Sequence, residues 1–141
     1  MGAWGHGIFD NDDAADWVFE LEEAPDDGVL EHTLRAVAEQ PDDAYVEAPD
    51  AAAALAAAEV VAAAVTGSHD ALVAGGSYSE GALAWVRSHG SDVRPELVPL
   101  ALAALRRARE SSELRELWDE AGPEEWLAEV GGLERRLQSA T

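Results

Sequence analysis

Between Ala51 and Val65, ten of fifteen residues are alanine and the one charged side chain is Glu59. Alanine has the strongest intrinsic helix preference of the twenty residues, so the run predicts a helix. Asp50 reads as its N-terminal cap, and Gly67 stands just past its end, where a left-handed residue is favoured. Small side chains let neighbouring helices approach closely, which predicts a central place among other helices. Glu59 is then anomalous, because it falls mid-helix on the side of Leu55 and away from Val61. The run is expected to be too short and too weakly hydrophobic to span a bilayer.

The rest of the chain also follows a 3.6-residue period, and no segment alternates convincingly at a period of two. A first helix is expected from a cap at Asp10 or Asn11. Asp12 and Asp13 then lie in its first turn, where the helix dipole favours negative charge. Ala14, Trp17, Val18 and Leu21 form its apolar stripe, and Pro25-Asp26-Asp27-Gly28 closes it as a turn. A second helix is expected over about 28–40, with Leu30, Leu34 and Val37 inward and an end before Pro41. Asp42 to Pro49 reads as a connector and 68–79 as the main loop. Ser79 is a cap for a short helix reaching His89. Leu97, Ala101, Ala104, Leu105 and Ala108 share one side of the next. Ser112 caps a further helix, and Gly122-Pro123-Glu124-Glu125 stops one helix and starts the last. In that last helix Gly131-Gly132 marks either a weak point or a close approach to a neighbour. The whole predicts a single all-α domain, a bundle of six to seven helices. A glycine- and tryptophan-rich extended strap from Gly2 to Gly7 leads into it, docked by Trp4 and Phe9.

Charge is distributed unevenly. The formal net charge is −20, with no lysine, and all nine basic residues are arginines. Residues 1–66 hold sixteen Asp or Glu against Arg35 alone, and residues 67–141 hold thirteen against eight arginines, so the net splits into −15 and −5. Nucleic-acid binding needs clustered bases to neutralise phosphates, and the front half has none, so nucleic acid is excluded as a partner. The same field disfavours an anionic membrane. The chain has no cysteine, which removes disulfides and thiolate metal sites and suits a reducing cytoplasm. The N-terminus has neither a secretory pattern nor, with His6 at its sixth position, a myristoylation motif.

Few groups suggest chemistry. Asp10, Asp12, Asp13 and Asp16 fail the calcium-loop pattern, because the sixth position counted from Asp10 is Ala15 and the twelfth is Leu21. Helix capping explains most of that cluster, although Asp12 and Asp16 share a face. Glu47 and Glu59, with Tyr45 nearby in sequence, are the remaining carboxylate candidates, and acid–base work would require them to meet in one pocket. A buried Glu59 is more simply paired with an arginine, for which Arg87, Arg94, Arg106, Arg107 and Arg109 are the candidates. His6, His32, His69 and His89 are too scattered to suggest zinc. Gly75-Gly76-Ser77-Tyr78-Ser79 lacks both a nucleophile elbow and the lysine of a phosphate loop. No catalytic residue, metal or cofactor is therefore expected. The candidate binding residues are Asp12, Asp16, Tyr45, Glu47 and Glu59, and the structural ones are Trp4, Phe9 and Trp17.

The opening Met1-Gly2-Ala3-Trp4-Gly5, followed by Gly7-Ile8-Phe9, Asn11-Asp12, Ala15 and Asp16-Trp17, resembles the start of a bacterial family known as domain of unknown function 4259. Tyr45-Val46-Glu47, the stretch Ala54 to Ala62 and Ser112-Glu113-Leu114-Arg115-Glu116-Leu117-Trp118 extend the resemblance over essentially the whole chain. It implies a small cytoplasmic bacterial domain, and it brings no catalytic residues, since the family has no assigned activity. Three functions stay open. One is a binding module for a positively charged protein, as immunity or antitoxin proteins are. Another is a carboxylate-based metal-dependent enzyme. The third is a structural or solubility role with no dedicated partner. The lack of a recognisable catalytic set favours binding over catalysis, and the oligomeric state is open.

Overall fold

A computed structural model describes residue 5 and residues 7–140. Among these the protein is all-helical, with eight α-helices and no strand. They are α1 (Asp12–Glu22), α2 (Gly28–Ala38), α3 (Ala48–Thr66), α4 (Asp70–Ala74), α5 (Glu80–His89), α6 (Leu97–Glu110), α7 (Glu113–Ala121) and α8 (Glu124–Ser139). Two single 3₁₀ turns, Gly76–Tyr78 and Gly90–Asp92, flank α5. The class matches expectation, and the helix count exceeds the expected six to seven. The addition is α4, inside the segment expected to be a loop. It is only five residues long and has no side-chain cap, so neither length nor capping advertises it.

The alanine helix α3 is the axis of the fold. It packs against α1, α2, α4, α5, α6, α7 and α8, and from Ala54 to Ala63 every residue is buried. A helix without bulky side chains presents no ridge large enough to hold neighbours off, so it can be surrounded on all sides. Its 19 residues are long and apolar enough to cross a membrane, contrary to expectation, but 72% of its most apolar window is buried inside the protein. Other helices cover it.

This helix begins at Ala48, two residues before the expected cap. Pro49 fits in the first turn, where a missing N–H costs no hydrogen bond. The Ala48 N–H instead donates to Glu113 Oε1 at 2.8 Å, from the start of α7. The connector before it is tied to the same place: Glu113 N–H donates to Val46 O at 2.8 Å, and Val46 and Ser112 form an isolated parallel bridge. At the other end Gly67 adopts φ 75° and its N–H returns to Ala63 O, the left-handed stop expected of it.

Helix α1 opens as its sequence predicts. Asn11 Oδ1 accepts from Ala14 N–H at 2.8 Å, and Ala14, Trp17, Val18 and Leu21 are buried. Trp17 Nε1 donates to Thr33 Oγ1 of α2 at 2.9 Å, giving this buried indole its polar partner. Ser112 Oγ caps α7 by accepting from Arg115 N–H at 3.1 Å. Ser79 makes no such cap for α5; its hydroxyl donates to Leu72 O at 2.5 Å and fastens α4 instead. A Cβ on Gly131 or Gly132 would meet nothing closer than the Arg135 guanidinium, at 3.6 and 3.9 Å, so no neighbouring helix approaches closely there.

Trp4 and most of the expected strap lie outside the described residues. The described end is a turn rather than extended: Asp10 N–H donates to Gly7 O at 3.0 Å, and Gly7 N–H to Asp10 Oδ2 at 3.1 Å. Phe9 is buried in the common core.

Candidate functional site

The proposed binding residues fall in four places. Glu59 is carried by the central helix, and its side chain is 3% exposed. Arg136 of α8 holds it in a two-pronged pair, Nη1 to Oε1 at 2.6 Å and Nη2 to Oε2 at 3.2 Å. An arginine partner was expected, but not this one: the five candidates came from α5, α6 and the segment between them. Burial nevertheless pushes the Glu59 carboxyl above the ordinary glutamate value, against the pull of Arg136 and helped by the nearby charge of Glu129. Glu59 lines a cleft of about 510 Å³ with Ile8, Phe9, Asp10, Glu125 and Glu129, where four carboxylates face apolar walls.

Tyr45 lies elsewhere. Its ring is exposed, and its hydroxyl donates to Glu116 Oε1 of α7 at 2.6 Å. That bond favours the neutral phenol and pushes the Tyr45 pKa up to about 12. It belongs to a second, more open cleft of about 540 Å³ with Asp42, Asp43, Glu110, Glu116 and Asp119, and with Arg115 among these acids. Glu47 is exposed at the start of α3 and makes no side-chain cap there. Asp12 and Asp16 are exposed on α1. Asp12, Asp16 and Glu47 line neither cleft, so the five residues do not converge on one pocket. Among the described residues no three His, Asp or Glu side chains are grouped to hold a metal ion.

The arginines explain how the acidic surface is organised. Arg94 gathers Asp27, at 3.0 Å, and Glu31, while Arg35 bridges Glu31 at 2.9 Å and Glu39 at 2.5 Å on α2. Arg109 and Arg106 converge on Glu134 at 2.7 and 3.1 Å. Arg115 takes Asp119, at 3.0 Å. Arg107 reaches Asp42 at 3.6 Å and donates to the Pro41 and Ala44 carbonyls, which pins the connector. Part of the front half's charge is therefore neutralised by the back half, at Asp27, Glu31, Asp42 and Glu59. Pairing with an arginine was expected of Glu59 alone; Asp27, Glu31 and Asp42 are neutralised as well.

Helix α1 is the exception. Among the described residues no cation pairs with Asp12, Asp13, Asp16, Glu20, Glu22 or Glu23. The Asp13 carboxyl is raised above its ordinary value by burial and then by the charges of Asp16, Asp12 and Glu113. Sequence reasoning overlooked Phe19 on this helix, which is 68% exposed, whereas Phe9, Trp17, Trp85, Trp118 and Trp126 are all buried. The signal was present, because Phe19 falls off the Ala14-Trp17-Val18-Leu21 stripe.

A family model, domain of unknown function (DUF4259), matches residues 2–129. No curated protein and no solved structure matches the chain.

Proposed function

The chain belongs to the DUF4259 family, and from that premise we propose that it is a binding module for a positively charged protein, in the manner of an immunity or antitoxin protein. The observation that carries this reading is the incomplete neutralisation of its surface. Seven of the chain's nine arginines are ion-paired with carboxylates, yet none of those pairs reaches α1. A one-signed surface of this kind speeds encounter with a cationic partner and rejects anionic ones.

The test is affinity capture from a host lysate, identification of the captured protein, and titration of the purified pair. A basic partner whose affinity falls as salt is raised supports the reading. Retention of no basic protein at low salt rejects it, as does a partner whose affinity ignores salt.

A further inference from the structure

Helix α1 has two unlike faces. Ala14, Trp17, Val18 and Leu21 enter the core. Opposite them, Asp12, Asp16, Phe19, Glu20 and Glu23 are all exposed and recur at intervals of three and four residues, so they form one ridge about 16 Å long. Like charges one turn apart destabilise a helix. Here Asp12, Asp16 and Glu20 repeat that conflict twice with no basic residue in the last turn to relieve it. Along α2 and its C-cap, by contrast, Glu31, Arg35 and Glu39 alternate sign at the same spacing. The aromatic ring set among these acids is the chain's most exposed large hydrophobic side chain among the described residues.

We infer that the outer face of α1 is the docking surface of this protein, with Phe19 as its apolar anchor, and that its occupant is a basic amphipathic helix of a partner protein. The inference rests on the reading above and names the surface that reading leaves open. Charge complementarity selects the occupant. A second copy of this chain carries the same −20 and would set like charges against one another. A partner helix with arginine or lysine once per turn meets the acids in register, while its apolar stripe covers Phe19. The described residues contain no strand and so offer no sheet edge for an extended segment to join. Binding energy concentrates in a few anchors that surrounding contacts shield from water, the part Phe19 would play once a partner covers it.

The experiment titrates the full chain with a synthetic amphipathic peptide bearing arginine at every turn beside a leucine stripe, followed by fluorescence anisotropy. A scrambled peptide of the same composition runs beside it. The wild-type chain is expected to bind the ordered peptide more tightly than the scrambled one. Phe19→Ala is expected to weaken binding about tenfold. The pair Asp16→Asn and Glu20→Gln is expected to weaken it further and to flatten its salt dependence. All three positions are solvent-exposed, and circular dichroism checks that the variants keep their helix content. Equal binding of both peptides, wild-type affinity in the α1 variants, or self-association lost on Phe19→Ala would each overturn the inference. Salt-dependent binding that ignores the α1 variants leaves the general reading standing, whereas a chain that binds no cationic peptide at low salt removes both.

Discussion

At the scale of single residues, Glu59 has the largest consequences. A carboxylate this deep is tolerable because Arg136 supplies an opposite charge and two hydrogen bonds. Arg136→Met strands the charge and is expected to cost about 3 kcal/mol or more at neutral pH. Burial places the folded-state pKa above the unfolded one, so the native state takes up the proton first as pH falls. The contribution of this group to stability therefore rises as pH drops through its folded pKa and is lost again above it. Relative to wild type, Arg136→Met should recover stability on acidification, and Glu59→Gln in the same background should abolish that recovery. Denaturant titrations at neutral and mildly acidic pH check both. Tyr45 gives a separate readout, because a phenol that donates to a carboxylate resists ionisation. Ultraviolet titration should find one tyrosine ionising near pH 12, assigned by Tyr45→Phe and brought back toward the ordinary value near 10 by Glu116→Gln.

At the scale of elements, the paired glycines of α8 are a correctable weakness. Nothing crowds a Cβ at either position, and glycine inside a helix loses more backbone entropy on folding than alanine does. Gly131→Ala and Gly132→Ala are each expected to stabilise the fold by about 0.5–1 kcal/mol, measured by denaturant unfolding. Gly81 on α5 behaves in the opposite way, because a Cβ there would lie 2.8 Å from Val18 Cγ1 and 2.2 Å from Glu22 Oε1 of α1. The contrast shows what can be read along a chain. Alanine content, the Trp17-Val18-Leu21 stripe and the caps at Asn11 and Ser112 announce helices through local energetics, so the class and most elements were legible. The start of α3 was not, because its cap comes from Glu113, 65 positions further on. The need of Glu59 for an arginine was legible too. That Arg136 answers it depends on how α8 crosses α3, and periodicity says which face is buried without saying what lies against it. Phe19 was legible as an outward residue, but its isolation among unpaired acids emerges only once every arginine has been placed.

At the scale of the whole molecule, net charge sets the response to solvent. A chain at −20 repels itself, most strongly near α1, so added salt is expected to raise the melting temperature with no partner present. A calorimetric series in sodium chloride checks this. A flat or falling trend would mean that the internal arginine pairs outweigh the repulsion. The pair that closes the core also carries a message about synthesis. Its members stand 77 positions apart, with the arginine in the last helix. On the ribosome, the alanine rod emerges long before the guanidinium that neutralises its acid. Until α8 has been made, the nascent chain holds an unanswered carboxylate in the middle of α3, so its interior can dry out only after that helix arrives.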